Sequence, residues 1–118
     1  MVKIMNRDGM VSISNDVFTD LAGDAATRCF GVKGMVSISK GTGLTQLLGW
    51  DSMSKGVSVT FNEEDKTTSI ALHIAVDPGV NIAVLARSIM SEVSYKVSQA
   101  TGVPVRSVDV YVDSMIVD

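Results

Sequence analysis

A single cysteine, Cys29, excludes an intramolecular disulfide and fits a reducing compartment. A single histidine, His73, leaves the chain short of the four Cys and His ligands that closed zinc sites use. No stretch approaches the roughly 20 apolar residues of a membrane-spanning helix. Met1 to Gly9 carries Lys3, Asn6, Arg7 and Asp8 in place of the apolar run of a signal peptide. These absences lead to the expectation of a cytoplasmic protein without direct membrane insertion. Any place at the membrane's inner face then depends on a partner. Aromatic residues make up only 5%, so Val, Ile, Leu, Ala and Met must fill the core. Basic clusters are missing too. With a net charge of -3, the surface repels phosphate backbones, and no nucleic-acid partner is expected.

What is present suits one folded domain over residues 1–118. Hydrophobic residues reach 46% and charged residues 19%, a globular balance. Met10 to Ser14 reads as a strand with Val11 and Ile13 on one side. Ser14 or Asn15 can cap a following helix, with Asp16 and Asp20 near its positive end. Val17, Leu21, Ala25 and Cys29, flanked by Phe18, Ala22 and Ala26, form its apolar stripe, and Gly31 supplies a stop. The hexapeptide Gly-Met-Val-Ser-Ile-Ser occurs at Gly9–Ser14 and again at Gly34–Ser39. It is read as two similar strands and not as a repeat architecture.

Leu44, Leu47 and Leu48 suggest a helical turn or two. Val57, Val59 and Phe61, then Ile70, Leu72, Ile74 and Val76, alternate with polar or small residues. They predict an antiparallel hairpin around the charged turn Glu63–Lys66. A long helix over about Asn81 to Thr101 buries Ile82, Leu85, Ala86, Ile89, Val93, Val97 and Ala100, and Gly102 ends it. A last strand points Val108, Val110 and Val112 inward. The order β-α-(β)-β-β-α-β predicts an α+β fold with two helices on one face of a mainly antiparallel sheet.

Chemistry-bearing patterns are sparse. A thiol enzyme needs Cys29 and His73 adjacent, yet the periodicities put them on opposite sides of the sheet. Asp16, Asp20 and Asp24 share a helix face and read as a solvated row. Gly41-Thr42-Gly43 lacks the lysine of a phosphate loop. No catalytic, cofactor-binding or metal-binding residue is therefore expected, and no enzymatic activity.

The sheet face away from the helices is the informative surface. It holds Ser58, Thr60, Ala71, His73, Ala75, Asp109 and Tyr111, small residues around an amphipathic aromatic. Such a mixture suits contact with a protein partner or a second copy, but also an ordinary wet face. Trp50, in an expected loop, is a further candidate anchor. RNA-recognition modules share this architecture, but they stack bases on several aromatics where this face offers only Tyr111.

Several stretches resemble the bacterial alkaline shock (envelope stress response) family. They are Gly9-Met10-Val11-Ser12-Ile13-Ser14-Asn15-Asp16-Val17, Leu21-Ala22-Gly23-Asp24-Ala25-Ala26 and Cys29-Phe30-Gly31-Val32-Lys33-Gly34-Met35. Lys55-Gly56-Val57-Ser58-Val59, Pro78-Gly79-Val80-Asn81-Ile82, Thr101-Gly102-Val103 and Val108-Asp109-Val110-Tyr111-Val112 complete the pattern. Each motif is weak, but their order spans nearly the whole chain. The resemblance implies a cytoplasmic interaction or scaffold protein linked to cell-envelope stress, bound to a membrane-anchored partner or assembled with itself. The chain looks like a short member without charged extensions, of the kind encoded beside a fatty-acid kinase. That implies a second reading, an accessory subunit of a soluble kinase. An RNA-binding module is the third.

Overall fold

The computed structural model describes residues 1–38, 45–48 and 56–117, with residues 37–38 and 45–48 described by their backbone alone. The chain opens with a hairpin of β1 (Val2–Asn6) and β2 (Gly9–Ile13), paired antiparallel from Val2–Ile13 to Asn6–Gly9. This corrects the sequence reading twice. A strand forms within Met1–Gly9, where none was expected, and β2 pairs only with it among the described residues, in a separate two-stranded sheet. Polar residues at the tip hid the pattern, because only the base of the hairpin is covered. Val2 is buried and Ile13 half-buried, while Val11, on the same side as Ile13 by alternation, is exposed.

Helix α1 (Asn15–Thr27) starts where Ser14 Oγ accepts the Asp16 N–H at 3.2 Å. It buries Phe18, Ala22, Ala25 and Ala26. Val17, one row further round, is exposed. The helix stops at the Arg28 C-cap, before Gly31, so Cys29 lies just beyond the helix and not on it. Gly31 still serves the turn. Its φ is +101°, and its carbonyl accepts the Asp77 N–H at 2.8 Å. An added Cβ there would meet Val80 Cγ1 at 2.9 Å.

The main sheet contains β3 (Val32–Ile38), β4 (Thr45–Leu48), β5 (Val57–Asn62), β6 (Thr67–Val76) and β7 (Val105–Met115). Thr45–Leu48, expected as helical, instead pairs antiparallel with Met35–Ile38. A four-residue apolar pattern fits either period, and strand partners decide it. β6 is the spine. One of its edges holds β5 against its first half and β3 against its end, both antiparallel; β7 runs parallel along it. Helix α2 (Ile82–Thr101) makes the crossover from β6 to β7, because parallel neighbours need a long connection.

Asn81 caps α2, its Oδ1 accepting the Val84 N–H at 3.1 Å, and Gly102 closes it in the left-handed conformation. Leu85, Ile89, Val93 and Val97, each four residues apart, form the buried stripe. Ile82 and Ala100, at the two ends, were expected in that stripe but are exposed, and Ala86 is half-buried. Both helices pack on one face of the sheet. Their buried stripes meet Ile70, Leu72, Ile74 and Val76 of β6, Met35 of β3, Val108 of β7 and Val2 of the hairpin. The fold is α+β with mainly antiparallel sheets, as the patterning predicts.

Candidate interaction surface

The open face is built by alternation. Leu72 and Ile74 of β6 enter the core, so His73 between them points the other way. On β7, Val108 is buried, and Val110 and Val112 are packed against the core, so Asp109 and Tyr111 share the open face with His73. Parallel register puts His73 directly beside Tyr111. Their rings stack with centroids 4.7 Å apart and planes 10° from parallel.

A third residue completes the cluster. The β6–β7 register slips between Ile74–Val112 and Ala75–Ser114, leaving Asp113 as the extra residue of a bulge. Asp113 Oδ2 lies 2.8 Å from His73 Nδ1. A carboxylate there selects the imidazole tautomer that carries its proton on Nδ1. The ring is thus held by a stack on one side and a hydrogen bond at its edge. Tyr111 remains 49% exposed above it.

The candidate residues divide accordingly. His73, Tyr111 and Asp109 stand on the open face, and Ala71 lies half-buried among them, paired with Ser58. Ala75 does not reach the surface: it is fully buried between Gly34 of β3 and Ser114 of β7. Ala75 is therefore removed from the contact surface. Trp50 and Gly41-Thr42-Gly43 lie outside the described residues. Alternation along β7 puts Asp113 on the same side as Asp109 and Tyr111, but its contact with His73 depends on a bulge and a strand partner that one-strand patterning does not contain.

Cys29 and His73 stay apart. Cys29 lines a groove of about 740 Å³ on the helix side, between the end of α1 and the start of α2. Burial and the nearby Glu92 carboxylate push its thiol pKa upward, which makes a poorer nucleophile. Beside it Phe30 is 93% exposed, a feature that the sequence analysis did not single out. In the acidic row on α1, Asp24 binds Arg28 at 3.0 Å. Among the described residues no group of three or more His, Cys, Asp or Glu side chains is placed to hold a metal ion. No helix among them is long and apolar enough to cross a membrane.

Two α-helices layered on a five-stranded sheet, with a stacked His73–Tyr111 pair on the side away from the helices, define a small α+β domain. The same fold occurs in solved structures of MamM CTD. The form spanning 215-293 superposes with a TM-score of 0.51 at 16% identity, covering 86% of this chain and 99% of that one. The copper form gives 0.50 at 16% identity, covering 86% and 87%. At that identity the likeness concerns the fold alone.

The chain belongs to the alkaline shock protein 23 family, described by a cell envelope-related function, which it matches over residues 3–117. It is 34% identical to the uncharacterised protein YloU of Bacillus subtilis (strain 168) over 115 residues, 97% of this chain and 94% of YloU. It is 32% identical to the uncharacterised protein Spy1614 of Streptococcus pyogenes serotype M6 over 115 residues, 97% and 93% of the two chains.

Proposed function

We propose that this protein is a non-catalytic interaction module of the cell-envelope system, binding a protein partner through the open sheet face centred on Tyr111. The observation that carries the reading is the stacked His73–Tyr111 pair, pinned by Asp113. An exposed tyrosine held in one orientation loses little freedom on binding and offers both an apolar body and a hydroxyl. Around it, Ser58 and Thr60 are exposed and Ala71 is half-buried, leaving a low surface that a partner can approach.

The same geometry favours protein over nucleic acid. Asp109 and Asp113 border Tyr111, where stacked bases would want cations. It also suits a structural role better than a chemical one. His73 Nδ1 is engaged by Asp113, and the cysteine thiol lies across the sheet in the helix groove. The proposed location is cytoplasmic, at the inner face of the membrane through an anchored partner.

The test is affinity capture from native cytoplasm with the wild-type chain and a Tyr111→Glu, Ala71→Glu double variant. Folding is checked by circular dichroism. The expected result is a partner, membrane-anchored, that the wild type retains and the folded variant loses. Unchanged capture by the variant overturns the assignment of this face. A soluble kinase captured in fixed ratio replaces the envelope scaffold with an accessory subunit.

A further inference from the structure

We propose that β7 is the seam of a two-fold dimer, in which the free edge of the strand pairs antiparallel with β7 of a second copy. The inference deepens the interaction reading above by naming a second copy as one occupant of the sheet's outer margin. β7 has 11 residues, Val105–Met115, and among the described residues it pairs only with β6. Among the described residues, alternate backbone N–H and C=O groups along its other edge therefore have no strand partner. An edge of this length is a template for strand addition unless something blunts it. The register slips that would blunt it fall at Arg106 and Asp113. The stretch between them, Ser107–Val112, pairs with β6 without interruption.

The charge pattern selects the occupant and its direction. Arg106 stands near the start of β7, and Asp109 and Asp113 stand in its middle and end. Parallel self-pairing would set Asp109 beside Asp109 and Asp113 beside Asp113. Antiparallel pairing centred on Val110 sets Arg106 of each copy opposite Ser114 of the other, one position from Asp113. The same register sets Asp109 opposite Tyr111 of the second copy on the open face, where the phenol can donate to the carboxylate. On the helix side it sets Val108 opposite Val112. A strand whose two halves complement each other under a two-fold axis is what an isologous interface requires.

The uninterrupted stretch Ser107–Val112 extends about 20 Å. It buries less than the roughly 1,600 Å² of a standard interface, so the dimer is concentration-dependent.

Sedimentation equilibrium of the purified chain tests this across a range of concentrations. It uses the wild type, Arg106→Glu, Asp113→Arg and the double exchange. The wild type is expected to dimerise. Each single reversal weakens the dimer roughly tenfold by turning two exposed attractions into repulsions. The double exchange recovers most of the loss.

Because Asp113→Arg also removes the His73 contact, a label provides an independent measurement. Nitroxides on Ser107→Cys, in a Cys29→Ser chain, should sit on backbones about 20 Å apart in this register, against about 5 Å for parallel pairing. A chain that stays monomeric, reversals that leave the dimer unchanged, or labels much further apart overturn the proposal. Partner capture is scored separately. A monomer that still captures its partner through Tyr111 overturns the dimer alone. A dimer whose Tyr111→Glu, Ala71→Glu variant captures as well as wild type overturns the face reading alone.

Discussion

At the scale of single residues, two side chains carry most of the chemical information. His73 holds one tautomer because Asp113 Oδ2 sits 2.8 Å from Nδ1. Nitrogen NMR of the neutral ring should show the proton on Nδ1, and Asp113→Ala should release it to a mixture of tautomers. A ring protonated on Nε2 in the wild type would contradict the geometry. Cys29 is the second. Desolvation, and then the Glu92 carboxylate, raise its pKa. The thiolate forms only at higher pH than in a free cysteine, so the alkylation rate of the folded protein should rise at correspondingly higher pH. Glu92→Gln removes the smaller cause. It should shift that rise downward without bringing it to the free-thiol position. An iodoacetamide rate profile checks both. Gly31 shows a different kind of constraint. Gly31→Ala places a Cβ at φ +101° and 2.9 Å from Val80, and should destabilise the protein by about 1–3 kcal/mol in urea unfolding.

At the scale of elements, α2 is bounded by two independent devices, the Asn81 side chain and the left-handed Gly102. Asn81→Ala should cost about 1 kcal/mol, read as a lower thermal midpoint with unchanged helical content. Ile89→Ala, in the middle of the buried stripe, should cost about 2–5 kcal/mol. The hairpin behaves differently, since β1 and β2 pair with each other and touch the core at one end. Val2→Ala should lower stability by about 1–3 kcal/mol while leaving the main sheet formed. A denaturant slope close to wild type would check that the same core still unfolds as one unit.

Strands and helices were legible to different degrees. The α2 stripe and cap, the β5–β6 hairpin and the inward valines of β7 follow from period and punctuation alone. Thr45–Leu48 and β1 do not. The first is too short for its period to be diagnostic, and the second exposes most of its residues, so alternation has no burial to report. The end of α1 was also misplaced, because Gly31 marks the turn into β3 and not the cap itself.

At the scale of the whole molecule, composition and periodicity by themselves determined the fold class, the two-helix layer and the inward-facing residues of β5, β6 and β7. Those are local consequences of where apolar groups recur along the chain. The tertiary structure alone decided which strands become neighbours. Parallel pairing of β6 with β7 sets His73 against Tyr111, and the bulge turns Asp113 onto His73. It also buries Ala75, which alternation along β6 alone assigns to the outward side. A contact between residues 40 positions apart depends on register, and register is chosen by the whole core at once, not by either strand.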